Sequence, residues 1–376
     1  MSVSFETSGD CAALPWFLVC RPARPEDLAD ISSLAGEVNI ASMVPDEQFL
    51  GAKIRKSHAT LEMSMSWQDG LAFFVSELHG FGPTSPLTVG SASLNKGAGG
   101  YWLKRKRERH SGGMFVSSEY LTFEVVPRSE SSVEFSSNVV RRDFRNTSGL
   151  RIGNFQTTSR IAFLLKHRQL IVDDIGDISF LFANLLTGMV DGRYPFYEKV
   201  VRPFLGNIDY EDADQRRYED SDFLEMLLLR RGQRHDGPQL PVHLVETAIS
   251  HKLGEVREET KGAEKALSNF GFRRVDKFDA LDGGRFVETT LSAVAALLPP
   301  RHLKARRAKV PELQARAETT HWTFTPERPM PQFICARALS CIAEDTLLIH
   351  ETAFNKLELD SGQNVMVVAA LAKRAE

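Results

Sequence analysis

The chain has 376 residues, 42% of them hydrophobic and 25% charged, with a formal net charge of −3. That length suits two domains, or one enlarged domain with an appendix, and the near-neutral balance gives no electrostatic ground for a nucleic-acid partner. Cys11, Cys20, Cys335 and Cys341 lack the C-x-x-C spacing of a metal site, so reduced, buried thiols are expected and no metal is assigned.

The N-terminus carries no basic run ahead of its apolar segment, and Leu14–Cys20 is broken by Pro15 and stopped by Arg21. Neither a signal peptide nor a membrane span is expected, which predicts a cytoplasmic protein. Trp16–Cys20 reads as a strand. Pro25, Glu26 and Asp27 then charge the start of a helix running to about Leu34, and Asp46–Met63 reads as a second amphipathic helix. Leu71–Glu77 and Leu87–Leu94 alternate as two antiparallel strands around a Gly/Pro/Ser turn. The basic run Lys104-Arg105-Lys106-Arg107 is either an anion patch or a solvated loop or hairpin, and the overall charge favours the second.

Glu119–Arg160 is the stretch around which the rest is organised, read as a strand, a long loop, a glycine and a helix. Ser118–Pro127 has the β-branched and aromatic content of a buried strand, and Phe155, Ile161, Ala162, Leu164 and Leu165 fall at helical spacing. Gly153 stands at the helix entrance, where free N–H groups and the helix dipole favour a pyrophosphate, although glycine also serves plain turn chemistry there. Further on, Ile178–Leu186 reads as a central strand, Arg193–Val201 as a helix with Pro195 in its first turn, and Asp209–Asp222 as an exposed acidic segment. Phe223–Leu229 is apolar, Val242–Leu267 helical with a break near Gly254, and Phe272–Phe278 and Phe286–Leu291 are strands around Asp282-Gly283-Gly284. Leu303–Ala317 reads as a basic helix or linker, and Trp322–Ala372 changes to strands.

The order of elements, with glycine before the central helix, resembles the GNAT acyl-CoA N-acyltransferase fold. Within it the chain resembles the arginine N-succinyltransferase family. The resemblance rests on Ser42 with Pro45-Asp46-Glu47, Ser117-Ser118-Glu119 with Leu121-Thr122, and Gly153 with Ser159-Arg160. It continues through Pro195-Phe196-Tyr197, Asp209-Tyr210 with Ala213-Asp214, and Gly271-Phe272 with Asp282-Gly283-Gly284 and Glu288. It implies an α/β (α+β) fold: a GNAT-like mixed, mostly antiparallel sheet flanked by helices, plus a small C-terminal β-rich domain. The expected division is a tail over 1–15, a GNAT-like domain over 16–292 with a helical insertion at about 210–268, a basic linker or helix over 293–320, and the β-rich domain over 321–376.

The family resemblance also implies transfer of an acyl group from succinyl-CoA or acetyl-CoA to the amino group of arginine, ornithine or a related amine. It suggests no metal, nucleic acid or membrane, and a homo-oligomer, or a hetero-oligomer with a paralogue. Thr122, Phe123, Glu124 and Val125 would pair with pantetheine, with a main-chain N–H of Phe123 or Glu124 holding the thioester oxyanion. Arg151, Ile152, Gly153 and Asn154 would hold the pyrophosphate. Tyr197 is the implied acid and Glu119 the base or amino-acid clamp, with Ser42, Arg257 and Asp282 assigned to substrate binding.

Three departures bear on activity. The family's histidine after Gly-x-Val is here Arg257, in Gly254-Glu255-Val256-Arg257, and arginine cannot accept a proton. His243 and His251 are nearby candidates for that role. Arg151 stands where the first of two phosphate-loop glycines is expected, and Pro127–Gly153 is long enough for a lid or an added CoA contact. Two readings follow: an acyl-CoA-dependent N-acyltransferase, or a catalytically impaired relative serving as a binding or regulatory subunit.

Overall fold

The computed structural model describes residues 16–38, 40–80, 86–96, 100–110, 116–126, 132–145, 147, 149–206, 208–219, 223, 239–241, 247–316 and 319–368. At Glu119, Phe123 and Val125 it describes the main chain alone. Contacts divide this mixed α/β chain into two units. The first takes residues up to Leu94, Ser137–Gly176 and everything from Leu291; the second takes Asn95–Ser136 and Asp177–Thr290. Strands β3 (Leu87–Lys96) and β6 (Ser132–Val140) each contain a division point.

In the first unit, β1 (Phe17–Pro22) lies antiparallel between β2 (Leu71–His79) and β13 (Cys335–Ala343), with Leu18 opposite Leu78 and Cys20 opposite Cys335. Helices α1 (Leu28–Ala35) and α2 (Glu47–Leu61) pack Ile31, Leu34, Leu50 and Ile54 against Phe73 and Val75 of β2. The Asp46 carboxylate accepts the Phe49 N–H at 2.6 Å, which fixes where α2 begins. Helix α3 (Ile152–Ile175) ends at Gly176, whose φ of 81° and ψ of −176° are open to glycine without strain.

The C-terminal strands close on themselves. β12 (Thr320–Pro326) pairs with both β13 and β15 (Asn364–Val368), β15 pairs with β11 (Arg301–Ala308), β11 with β14 (Thr346–His350), and β14 with β13. The ring joins the rest of its unit through β13, which also pairs with β1. Its interior holds Leu303, Phe324, Ile349 and Val365 together with Phe17 and Val19 of β1. The expected basic linker over 293–320 is therefore corrected to α7 (Leu291–Leu297), β11 and α8 (Val310–Gln314). Leu303 and Ala305 turn inward while Arg301, His302, Lys304 and Arg306 are exposed, a period of two that the alanines disguised as helix.

The second unit orders its strands β6, β7 (Phe180–Leu185), β10 (Arg285–Thr289), β9 (Arg273–Asp279), β4 (Gly100–His110), β5 (Val116–Val126) and β8 (Gln239–Pro241). β6 and β7 run parallel, paired over Ser132–Glu134 and Phe180–Phe182, while the pairs from β7 to β8 are antiparallel. Helices α4 (Tyr210–Glu219), α5 (Thr247–Lys252) and α6 (Glu258–Asn269) belong to this unit.

Two expectations change here, and the hairpin favoured for the basic run is found. The basic run lies on β4 in a hairpin with β5, where Lys104 and Lys106 both pair with Glu124. The long loop after Pro127 contains β6, whose Val133, Phe135 and Val139 alternate inward. The acidic segment from Asp209 is α4, with Tyr210, Ala213 and Asp214 buried along one face. Leu224–Leu229 and His243 lie outside the described residues.

Candidate functional site

The strand that runs into the glycine helix is β6, not β5. β5 is paired with β4 along its length and also with β8 at Tyr120–Thr122, so the main chain at Thr122 is engaged on both sides. Thr122 is buried with its hydroxyl unpartnered, and Glu124 is held by its two lysines. Burial raises the Glu124 pKa, but Lys106 and Lys104 outweigh it and draw the carboxyl below its usual range. β6 is thus the strand in sequence before α3, and the β5–β8 pairing covers Tyr120–Thr122 of β5.

At the α3 entrance Arg151 adopts φ 44° and ψ 49° and is exposed. Its carbonyl takes the first helical bond, from Phe155 N at 3.0 Å, which leaves the N–H groups of Ile152, Gly153 and Asn154 ahead of any helical acceptor. A Cβ added at Gly153 would meet nothing within 4 Å, so the space over this turn is open. Arg337 donates to Leu150 O at 3.0 Å, and its guanidinium is disfavoured first by burial and then by the charge of Arg151. Two guanidinium groups and a helix N-terminus make the entrance a place for an anion.

Behind that turn, the polar run Gln156–Arg160 is buried. Thr157, Thr158 and Ser159 return their hydroxyls to carbonyls four residues back at 3.0, 2.9 and 2.8 Å. Gln156 Nε2 bridges Ser91 O at 3.1 Å and Val139 O at 3.0 Å, so one amide ties β3 to β6. Arg160 reaches Ser93 O and the Asn138 side chain, both at 3.3 Å. Ser42 contributes through its main chain: Lys53 Nζ donates to Ser42 O at 2.7 Å and to Ser137 Oγ at 2.6 Å. Ser137 has φ 49°, an irregularity within β6.

The second unit brings Arg257 and Asp282 to the Tyr194 phenol, with Tyr197 one ring further off against Tyr210, and adds residues that sequence reasoning did not single out as site residues. Asp279 Oδ2 accepts from Arg217 Nη1 at 2.6 Å and Asn184 Nδ2 at 2.9 Å, while its Oδ1 accepts the N–H groups of Leu281 and Asp282. Arg217 also pairs with Asp214 on the preceding turn of α4. Burial works against the Asp279 charge, yet Arg217 and the N–H donors draw its pKa down. Asp282 accepts from Thr187 N and Gly284 N at 3.2 and 2.7 Å, and burial with the Asp279 charge pushes its carboxyl up to about 8. At Gly284 an added Cβ would lie 2.6 Å from Leu185 O and 2.8 Å from Asp282 Oδ1, so only glycine fits this turn. Tyr210, Ala213, Asp214 and Arg217 recur at intervals of three and four, the signal that could have found α4's inner face.

Tyr197 is fully buried; its hydroxyl donates to Ile208 O at 2.8 Å and its ring meets Tyr210 edge-on. Burial pushes its phenol up to about 12. The same cause takes Tyr194 to about 12, with Asp282 raising and Arg257 opposing, which sets those two charges around one phenol. Arg257 stands before α6, its Nε donating to Thr260 Oγ1 at 3.1 Å. His251 is exposed. Among the described residues, no group of three or more His, Cys, Asp and Glu is arranged to hold a metal ion, and no helix is long and apolar enough to cross a membrane.

A family model described as arginine N-succinyltransferase beta subunit matches residues 18–296. The chain belongs to the arginine N-succinyltransferase family. It is thereby an enzyme of the N-acyltransferase class. No curated protein sequence matches it. Among solved structures it is similar to arginine/ornithine succinyltransferase subunit AI from Pseudomonas aeruginosa, with TM-score 0.74 at 18% identity over 95% of this chain and 99% of that one. At that identity the likeness is one of fold. In this arginine N-succinyltransferase relative, the α3 entrance and the Asp279–Asp282 turn both fall inside the matched span.

Proposed function

We propose that the chain transfers a succinyl group from succinyl-CoA to the α-amino group of arginine or ornithine, on a GNAT-type scaffold. The observation that carries this reading is the α3 entrance: three N–H groups, open space over Gly153 and two guanidinium groups suit the pyrophosphate of an acyl-CoA substrate. β6 leads into that turn, and we assign to its main chain the pantetheine contact and the N–H that stabilises the thioester oxyanion.

The amine reacts only after losing a proton. Its nitrogen then attacks the thioester carbonyl, the tetrahedral oxyanion collapses, and CoA leaves as a thiolate that takes up a proton. Asp279 supplies negative charge for the cationic groups of the acceptor, Asp282, its carboxyl pushed up to about 8, supplies a neutral hydrogen-bonding partner beside it, and Glu119 keeps its assignment as an acceptor clamp. Tyr197 is assigned to packing, because its one proton is already given to Ile208 O.

The assembly in this reading is an oligomer, of like chains or with a paralogue, in keeping with a fold relative that is itself named as a subunit. A second reading, a regulatory subunit without turnover, is favoured by Arg257 at the family's histidine position. Calorimetric titration with CoA, acetyl-CoA and succinyl-CoA separates them. Saturable binding, tightest for succinyl-CoA, supports the enzyme, and lack of binding to all three favours the regulatory subunit.

A further inference from the structure

The basic run on β4 is not used by the reaction as drawn so far. Lys104 and Lys106 share one face of the strand and are satisfied by Glu124. Arg105, one residue out of phase, belongs to the other face. There its guanidinium carbon lies 5.7 Å from the centroid of the Phe278 ring. Arg285, the register partner of Phe278 across β9 and β10, lies 5.2 Å from the same centroid.

Both groups are permanent cations, and among the described residues neither forms an ion pair with a carboxylate. Arg285 Nε donates to Gly254 O at 2.9 Å, whereas Arg105 Nε is buried with no hydrogen-bond partner. Burial disfavours the Arg285 cation and Arg274 and Arg105 add like charge, which the carboxylates of Asp276 and Glu264 only partly offset. Two guanidinium groups held on one aromatic ring, one with a buried donor unspent, are an arrangement that an anion completes. The corner is also tied to the acidic turn, because Gly254 N donates to Gly283 O at 2.9 Å, next to Asp282.

We infer that Arg105 and Arg285 form a subsite of the second unit that reads a substrate carboxylate. Planar guanidinium forks take carboxylate and phosphate alike, and with the pyrophosphate assigned to the α3 entrance the carboxylate is the anion left for this pair. The inference rests on the N-acyltransferase reading, in which a carboxylate occurs at two places: the far end of the succinyl donor and the α-carbon of the amino-acid acceptor.

Arg105→Gln and Arg105→Lys in the full chain test it, since among the described residues Arg105 holds no main-chain carbonyl and Lys keeps a cation over Phe278. The measured quantities are kcat/KM for succinyl-CoA relative to acetyl-CoA, and for arginine relative to its analogue lacking the α-carboxylate. Arg105→Gln is expected to lower one of these ratios about tenfold or more, with Lys recovering part of it. A fall in the donor ratio assigns the succinyl carboxylate; a fall in the acceptor ratio assigns the α-carboxylate. Both ratios unchanged would overturn the subsite, because loss of packing alone lowers both substrates of a pair equally. Titration of the same proteins with free succinate and free arginine reads the subsite without turnover. Weaker binding in Arg105→Gln supports it even in a wild-type chain that fails to turn over, while equal or absent binding throughout counts against it.

Discussion

Arg151 is the residue at which the α3 entrance departs most plainly from ease. Its φ of 44° is left-handed, where a side chain costs roughly 1–2 kcal/mol and glycine very little. Arg151→Gly is therefore expected to raise stability by about 1 kcal/mol, read from a urea midpoint, while weakening CoA binding in the same titration. Stability gained with affinity unchanged would remove the guanidinium from phosphate binding. Tyr197→Phe should cost about 1 kcal/mol, the worth of the bond to Ile208 O, with turnover kept. Lost turnover at unchanged stability would return Tyr197 to the chemistry.

Asp282 gives a pH prediction at the same scale. Its folded pKa, about 8, lies above the ordinary 3.8. The folded chain thus holds a proton that the unfolded chain releases, so this contribution is complete below about pH 4, falls as pH rises toward 8, and is flat beyond. Asp282→Asn, which keeps a neutral group in place, should flatten the stability profile between those limits. A profile with the wild-type slope would mean that Asp282 is ionised throughout.

Among the elements, α3 is the one whose sequence is most misleading. Gln156–Arg160 is polar enough to suggest a solvated face, yet it is buried, because its hydroxyls return to the helix and its two long side chains reach β3 and β6. Gln156→Leu should cost about 1–3 kcal/mol by leaving the Ser91 and Val139 carbonyls short of a donor. A cost near zero in thermal unfolding would mean that β3 and β6 close up without the bridge.

The same reasoning explains what could be read from the sequence. β1, α1, α2, β2, β7, β9 and β10 were legible because their apolar residues repeat cleanly. β6 was hidden by serines at positions the sheet can bury, and β11 by a run of arginine, lysine and alanine whose inward residues are small. At the site, Gly153 and Asp282 could be picked out as a helix entrance and a turn. Asp279, Arg217 and Asn184 could not, because they meet only across elements distant in sequence.

For the whole molecule, the chain order and the contact order differ. Neither unit is a continuous stretch, and β11–β15 share the core of Phe17 and Val19. A chain ending at residue 296, the last position of the family match, would leave β1 without β13 and open that core to water. Such a truncation is expected to be insoluble or unfolded by circular dichroism. A soluble, cooperatively unfolding fragment would instead support the separate C-terminal domain that the sequence suggests.

The decisive measurement is arginine-dependent release of the CoA thiol from succinyl-CoA by the purified chain. Saturable release that requires both substrates and leaves succinylated arginine as product is expected. Succinyl-CoA that is neither bound nor consumed, with arginine or ornithine present, would overturn the assigned transfer.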